Sequence, residues 1–422
     1  MRNKRELLSR VTTLLKEFES NDLIENLISR INLPDEPHMF IYNITLKNSE
    51  RFSDGKPHQI KAGGYSFLSK EFALFKCLME AVERYSMINY RRGNLFKSSY
   101  RKLPSTGLNP QQYIQDVGIE DKLFYWCKGF DLINNKNVFL PAQLIYFNYT
   151  SNLNEPHLSE FVSTGGSAGL NQAFTLLQGI YEIIERDAFM TLYLTQSEPK
   201  HINLFNLQIP SLKKILTKSK RYRLEIATFD ITNDLSIPSF LTILLDRTGL
   251  GPSATFGLKS SLSKQDAILG SIEESFHTRP WIRQEFTKKK GFLSIEKKSI
   301  NTFVDRALFW TSPQMLKKID FILQSKPQEI TLPAITKINL AKELENVLNI
   351  FKIKNIPLYS SYLTPENFRK HGFIISKAIA PTLQPLYFHE AKPFIIKKRL
   401  KEVSTHFSNK DYKLNTTPHP FL

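Results

Sequence analysis

Two cysteines, Cys77 and Cys127, are all the thiol chemistry this 422-residue chain contains. Two cannot form a disulfide scaffold for so long a chain, nor a thiolate zinc site on their own. A reducing compartment fits this, and the cytoplasm is the expected location. No apolar run approaches the roughly 20 residues of a membrane span. The basic N-terminus, MRNKRELLSRVTTLLKEF, carries acids and has no continuous apolar core, so it reads as an amphipathic helix and not a signal peptide. There is no GxxxxGK[ST] loop, no GxGxxG, no HExxH and no GxSxG. The nine histidines are scattered. Acid is also short, with 40 Asp and Glu against 57 Lys and Arg, a formal charge of +17. Such an excess draws anionic partners. A lysine-rich compositional bias, a polyphosphate or acidic-peptide partner, and nucleic acid are its three readings. The last lacks a long basic run, a zinc finger or an RNP-like signature.

What is present is a globular composition, 41% hydrophobic with 31 Phe and 16 Tyr, enough for one to three domains. Residues 1–34 read as one or two helices, LLSRVTTLLKEF and LIENLISRI, ended by Asn32, Leu33 and Pro34. MFIYNITLKN reads as a strand and FSDGKPHQI as a turn. FYWCKGFDLI and VFLPAQLIYFNY read as strands around an Asn-rich turn. Residues 207–219 read as a helix, then YRLEIATFDI and SFLTILLDR as strands. ATFGLKSSLSKQDAILGSIEESFHTR runs strand, turn, helix. A Lys-rich surface excursion is expected near 287–299, helix with a Pro-rich interruption over 302–350, late strands in IKNIPLYSSYL and GFIISKAIA, and a polar tail.

Two long helical segments echo one another at an offset of 102 residues. Phe72, Leu74, Glu80, Glu83 and Arg84 correspond to Phe174, Leu176, Glu182, Glu185 and Arg186. Each segment opens on a good N-cap, Ser69 or Asn171, and follows a glycine-bearing stretch, AGGYSFL or STGGSAGL. Glutamates at i and i+3 share a helix face and repel unless a cation lies between them. Hard oxygen ligands suit Mg2+, which arrives with substrate phosphates, and arginines pair with phosphate or carboxylate. The plainer reading is a solvated, glutamate-rich face. Duplication for packing alone explains the apolar matches but not the paired acids. The glycine stretches are phosphate cradles or simply tight turns. A third segment, SIEESFHTR, places Glu273, Glu274, His277 and Arg279 near an expected helix end. Cys77 and His157 read as structural.

Together KAGGYSFLSKEFALFKCLMEAVERYS (61–86), STGGSAGLNQAFTLLQGIYEIIERDA (163–188) and AILGSIEESFHTR (267–279) resemble the YcaO family over roughly residues 55–422. The resemblance implies an α+β fold of YcaO type, with mixed β-sheets flanked by helices and an internally repeated helix motif. It divides the chain into 1–54, an N-terminal helical and first-strand region, and 55–422, a catalytic domain with a proline-containing tail. ATP and Mg2+ are the implied cofactors. Glu80, Glu83, Glu182 and Glu185 are the implied metal carboxylates. Lys61, Ser66, Arg84, Arg186, Glu274 and Arg279 are the implied nucleotide contacts, and Glu80, Glu185, Arg279 and Pro420 the implied catalytic set. His277 stands where the family often has Gln. The tail, Pro418-His419-Pro420-Phe421-Leu422, is similar to the proline-rich tails of azoline-forming members, which reach toward the active site; Leu422 replaces their last proline. PAQLIYFNY and NEPHLSEFVSTG also look like that branch. The implied activity is phosphorylation of peptide backbone amides, turning Cys, Ser or Thr of a precursor peptide into thiazolines or oxazolines. Thioamide or amidine formation, a role in ribosomal-protein methylthiolation, and a non-enzymatic nucleotide-responsive adaptor stay open. The expected partners are a precursor peptide with its leader and a separate E1-like or winged-helix leader-binding protein, because the stretch before residue 55 is short. A homodimer is also open to the chain.

Overall fold

A computed structural model of the chain describes residues 4–47, 60–90, 92–114, 118–147, 149, 155–158, 160, 163–289, 297–300, 302–332, 339–409 and 411–421. The expected turn over 52–59, the middle of the Lys-rich stretch (290–296), the interruption at 333–338 and Leu422 lie outside these residues. The chain forms two compact units: residues 1–31, 40–183 and 338–382 in unit 1, and 32–39, 184–337 and 383–422 in unit 2. The architecture is α+β, and every strand pair among the described residues is antiparallel.

Unit 1 holds two sheets. In the three-stranded one, Phe40–Leu46 lies between Ile24–Ser29 and Ile60–Ser66. The other orders Phe96–Ser99, Leu123–Asp131, Tyr359–Tyr362, Ile374–Ile379 and Gly166–Gly169, with Lys136–Pro141 paired to Leu123–Asp131. The helix Lys70–Ile88 starts where the Ser69 side chain accepts a hydrogen bond from the Phe72 amide. It buries Ala73, Cys77, Leu78, Ala81 and Val82 against the strands and the first helix, Lys4–Ser20, which contributes Leu14 and Phe18. A Cβ on Gly64 would overlap the Ala73 carbonyl and the Cys77 amide, so glycine there lets strand Ile60–Ser66 approach the helix backbone. The first glycine stretch is strand, Ile60–Ser66, while the second is both readings in turn: a tight turn closed by the Gly166 amide on the Ser163 carbonyl at 2.8 Å, with Gly165 at φ 85°, leads into the strand Gly166–Gly169.

LIENLISRI also departs from expectation. It is the strand Ile24–Ser29, and the first helix ends at Ser20, with Asp22 in the left-handed region (φ 53°). The ladder shifts register between Ile24 and Asn26, and so both Ile24 and Leu27 are half-buried, three residues apart. A bulge thus imitates helical spacing.

Unit 2 is built on a sheet in the order Ala254–Ser260, Ser239–Asp246, Leu224–Asp230, Lys200–Ile202. Ser239–Asp246 is buried at every position, matching its nearly continuous apolar sequence. The helix Lys264–Lys288, capped by Ser263, runs through Pro280, so SIEESFHTR lies in its middle and not at its end. The tail is core, with His419 and Phe421 both buried. The helix Gln172–Thr195 carries the second Glu-x-x-Glu-Arg segment, and the unit boundary falls between its Ile183 and Ile184.

Candidate functional site

In unit 1 the echoed segments repeat a bond as well as a pattern. The Gly63 amide donates to Glu80 Oε2 at 3.2 Å, and the Gly165 amide donates to Glu182 Oε2 at 2.9 Å. Donor and acceptor keep the offset of 102 residues that the sequence shows. Each first glutamate is thus held by a backbone N–H of the glycine stretch before its own helix. Gly63 and Gly166 belong to strands at the edge of their sheets.

Glu80 Oε1 pairs with Arg84 one turn along at 3.2 Å. Arg84 Nε is buried with no hydrogen-bond partner among the described residues, and the guanidinium lies over the Phe147 ring. Burial disfavours the Arg84 charge, yet Glu80, Glu83 and Glu182 raise its pKa. Burial pushes the Glu83 carboxyl up to about 8; Arg84 and Lys377 oppose the shift, and Glu182 and Glu80 add to it.

Lys377 was not singled out in the sequence. It is buried on strand Ile374–Ile379, opposite Gly166. Cross-strand partners share a face. A Cβ on Gly166 would lie 2.9 Å from Glu83 Oε1, so Lys377 projects toward the acids. Burial lowers its pKa to about 8 against the pull of Glu182 and Glu83. A single Lys inside the apolar IISKAIA was the available signal. Lys61 is exposed on strand Ile60–Ser66. Ser66 is buried and its hydroxyl accepts from the Leu68 amide, which shapes the entry to the helix.

In unit 2 the same principle recurs on the edge strand Ala254–Ser260. The Ser260 amide donates to Glu185 Oε2 at 3.0 Å, and the Leu258 amide to Glu274 Oε2 at 2.5 Å. Lys259 stands 3.7 Å from Glu185. Arg186 lies over the Phe421 ring, 5.0 Å from its centroid. Glu274 lines a cavity of about 30 Å³ together with Thr278, Pro420 and Phe421. Arg279 is 3% exposed and committed to acids: Asp246 at 2.6 Å, Glu36 at 3.2 Å, and the Pro252 carbonyl at 3.1 Å. Asp187 follows the Glu-Arg pair and had no role assigned from sequence. Fully buried, it accepts from Arg399, Asn233 Nδ2 and the Gln384 amide. Its signal was one acid inside the apolar run that follows Arg186. His157 is exposed and His277 half-buried.

Both cysteines are buried free thiols. Burial pushes the Cys127 thiol up to about 12 and Cys77 higher still, so neither supplies a thiolate. Among the described residues no three His, Cys, Asp or Glu side chains stand close enough to hold a metal ion. The donor set nonetheless suits Mg2+. This ion takes one or two carboxylates and completes its shell with water and substrate phosphates, so no all-protein cage is required. Glu80, Glu83 and Glu182 are electrostatically coupled to Arg84, and Glu83 and Glu182 to the buried Lys377, so acids and bases share one group. No helix among the described residues is long and apolar enough to cross a membrane.

A family profile described as YcaO cyclodehydratase, ATP- and Mg2+-binding, matches residues 66–384. An uncharacterised protein of the tfuA 3′ region of Rhizobium leguminosarum bv. trifolii is 25% identical over 123 residues, 28% of this chain and 29% of its own length. An uncharacterised protein of Methanothermobacter thermautotrophicus is 24% identical over 229 residues, 51% of this chain and 58% of its own length. Three solved structures show the same fold. A heterocyclase in complex with substrate and cofactor has TM-score 0.76 and 18% identity, covering 98% of this chain and 57% of that one. YcaO from Methanopyrus kandleri bound with AMPPCP and Mg2+ has TM-score 0.67 and 14% identity, covering 92% and 94%. The E. coli microcin synthetase McbBCD complex has TM-score 0.61 and 14% identity, covering 89% and 95%. The chain thus spans less than two thirds of both curated relatives and of the heterocyclase.

Proposed function

The chain belongs to the YcaO family, whose ligands are ATP and Mg2+, and from that premise we propose that it spends ATP on backbone amides of a ribosomally made precursor peptide, closing Cys, Ser or Thr residues into azolines. The observation that carries the reading is the repeated lock, Gly63 to Glu80 and Gly165 to Glu182, which fixes paired acids beside Arg84 and Lys377.

The chemistry needs positioning and charge more than a protein nucleophile. A Cys, Ser or Thr side chain of the peptide gives up its S–H or O–H proton and adds to the preceding carbonyl carbon, and the carbonyl oxygen takes the electron pair. That oxygen attacks the γ-phosphorus of ATP, and ADP leaves. The amide nitrogen then gives up its proton, the C–O bond breaks, and phosphate departs with the oxygen. The ring gains a C=N bond, and the peptide has lost the elements of water. Mg2+ supplies neutralisation of phosphate charge. In unit 1, one or two of the carboxylates Glu80, Glu83 and Glu182 would hold it, while Arg84 and the exposed Lys61 would meet phosphate oxygens and Ser66 shapes the stretch that carries them. In unit 2, Glu185 and Glu274 serve as carboxylates held from the edge strand, and Arg186 serves as a phosphate cation. Arg279, ion-paired with Asp246 and Glu36, orders that unit. The buried cysteines leave the nucleophile to the peptide.

The buried tail, with Pro420 and Phe421 beside Glu274, favours azoline over thioamide chemistry. McbBCD is a multi-protein complex, and a leader-binding partner is part of the proposal. The test is incubation with ATP, Mg2+, the candidate peptide and a leader-binding protein. Loss of one water's mass per modified residue supports the reading. Oxygen-to-sulfur exchange points to thioamides instead, and nucleotide binding without peptide-dependent phosphate release points to the adaptor. Glu185→Gln keeps an oxygen acceptor for the Ser260 amide, so it should melt like wild type yet lose about a hundredfold in turnover. Full turnover would remove Glu185 from the site.

A further inference from the structure

The last residues of unit 2 present a problem of attachment. Pro418 and Pro420 have no N–H, so this segment cannot pair as a strand and must be gripped largely by its carbonyls. The structure supplies three donors. Tyr193 Oη and Trp310 Nε1 each donate to the Pro418 carbonyl at 3.1 Å. Arg306 Nη1 donates to the His419 carbonyl at 2.8 Å. His419 Nε2 in turn donates to the Tyr387 carbonyl at 2.7 Å, which fixes that tautomer, because a carbonyl can only accept. Further back, Asn415 bonds to Leu194 and Tyr193, and Lys297 bonds to the Thr416 carbonyl.

Arg306 is the hub. It is 1% exposed and sits on the helix Phe303–Phe309, whose start is set by a capping box between Thr302 and Asp305. Its Nη2 donates to the Phe388 carbonyl at 3.0 Å and pairs with Glu390 at 2.7 Å. A buried guanidinium is costly unless its fork is filled, and this one is filled partly by main-chain oxygen of the tail. Directly beyond the gripped carbonyls, Pro420 and Phe421 line the cavity with Glu274 and Thr278, and the Phe421 ring lies beneath Arg186. The planar fork therefore sets the tail's position against two groups that the functional reading uses.

We propose that Arg306, seconded by Trp310 and Tyr193, is a positioning residue: it clamps the tail so that Pro420 and Phe421 stand against Glu274 and Arg186, and turnover depends on that placement. The second half rests on the proposed function. The first half does not.

The experiment joins a structural and a kinetic readout on the full chain. The Trp310 indole proton, hydrogen-bonded to Pro418, reports the clamp by NMR exchange. Arg306→Lys keeps the charge beside Glu390 but loses the fork. It should speed indole exchange by about tenfold and lower peptide-dependent ATP turnover by about tenfold, the worth of one charge-assisted bond. In a chain ending at Thr417, Arg306→Lys should change turnover less than about twofold, because a residue acting only through the tail has nothing left to position. If Arg306→Lys does not fold, Arg306→Met/Glu390→Met removes both buried charges together and is read in the same way. Unchanged indole exchange in a folded variant, or full additivity with the truncation, overturns the proposal. If the wild-type chain turns over no ATP with any peptide, the proposed function and the dependence of turnover on the clamp fall together, while indole exchange still decides whether the clamp exists.

Discussion

Replacing Asp187 by asparagine tests how the second glutamate segment is tied into its unit. Asp187 Oδ2 accepts from Arg399 Nη2 at 2.6 Å and from Asn233 Nδ2 at 2.8 Å, while Oδ1 accepts from the Gln384 amide at 2.8 Å and Arg399 Nε at 3.0 Å. In Asp187→Asn one oxygen survives for the Gln384 amide. The new NH2 then faces Arg399 Nη2 and Asn233 Nδ2, donor against donor. Arg399 is 3% exposed and keeps Asp234, which is itself partly solvated. Breaking one side of a buried pair costs about 3–5 kcal/mol. For a body of roughly two hundred residues, each kcal/mol moves the midpoint by about 2–4 °C, so a loss of about 10 °C is expected. Calorimetry of the full chain reads it, resolving the units where they melt separately. The double variant Asp187→Asn/Arg399→Leu should melt higher than the summed single losses predict, because the orphaned cation is gone. A midpoint within about 2 °C of wild type for Asp187→Asn would refute the reasoning.

Glu83 has a carboxyl pKa raised to about 8, mainly by burial, so the native state binds a proton that the unfolded chain has released. Stability should therefore fall as pH rises from the ordinary carboxylate range through 8, and Glu83→Gln should flatten that slope in urea titrations at pH 5 and 8.5. Glu17 behaves in the opposite sense: despite the opposing cost of burial, hydrogen bonds from His371 and Lys370 lower its pKa. Its contribution is present above the ordinary carboxylate value and lost as pH falls through the lowered one, so Glu17→Gln should melt lower at neutral pH and the gap to wild type should close as pH falls. Gly64→Ala would push the helix Lys70–Ile88 off its strand, at a cost of about 1–3 kcal/mol in urea unfolding. It should also weaken binding of a fluorescent ATP analogue, and unchanged binding with intact stability would disprove the close packing.

Much of the local geometry around the candidate site could be read from the chain alone because it is written in local rules. The caps Ser69 and Asn171 hold, since a side-chain acceptor three residues before an orphan amide is a property of neighbours in sequence. The echo held for the same reason, and so did most strands with clear alternation. Residues whose roles depend on distant elements were not legible. Lys377 meets Glu83 and Glu182 only after Ile374–Ile379 pairs beside Gly166–Gly169. Arg279 read from sequence as a phosphate contact, and only the fold shows it ion-paired with Asp246 and Glu36. Ile24–Ser29 looked helical because a bulge restored a spacing of three.

By itself the sequence determined that two helices would carry paired glutamates behind glycine stretches and that prolines alternate at 418 and 420, and it read Cys77 as packing. Tertiary structure decided what those features touch. It set the Gly63 amide on an edge strand and the Gly165 amide in the turn that leads into one, where they hold Glu80 and Glu182, supplied Lys377 as counter-charge, and gripped the tail through Arg306. The physical reason is range. Capping and periodicity act over a turn or two, while the charge balance of a buried acid is set by whatever the fold brings against it.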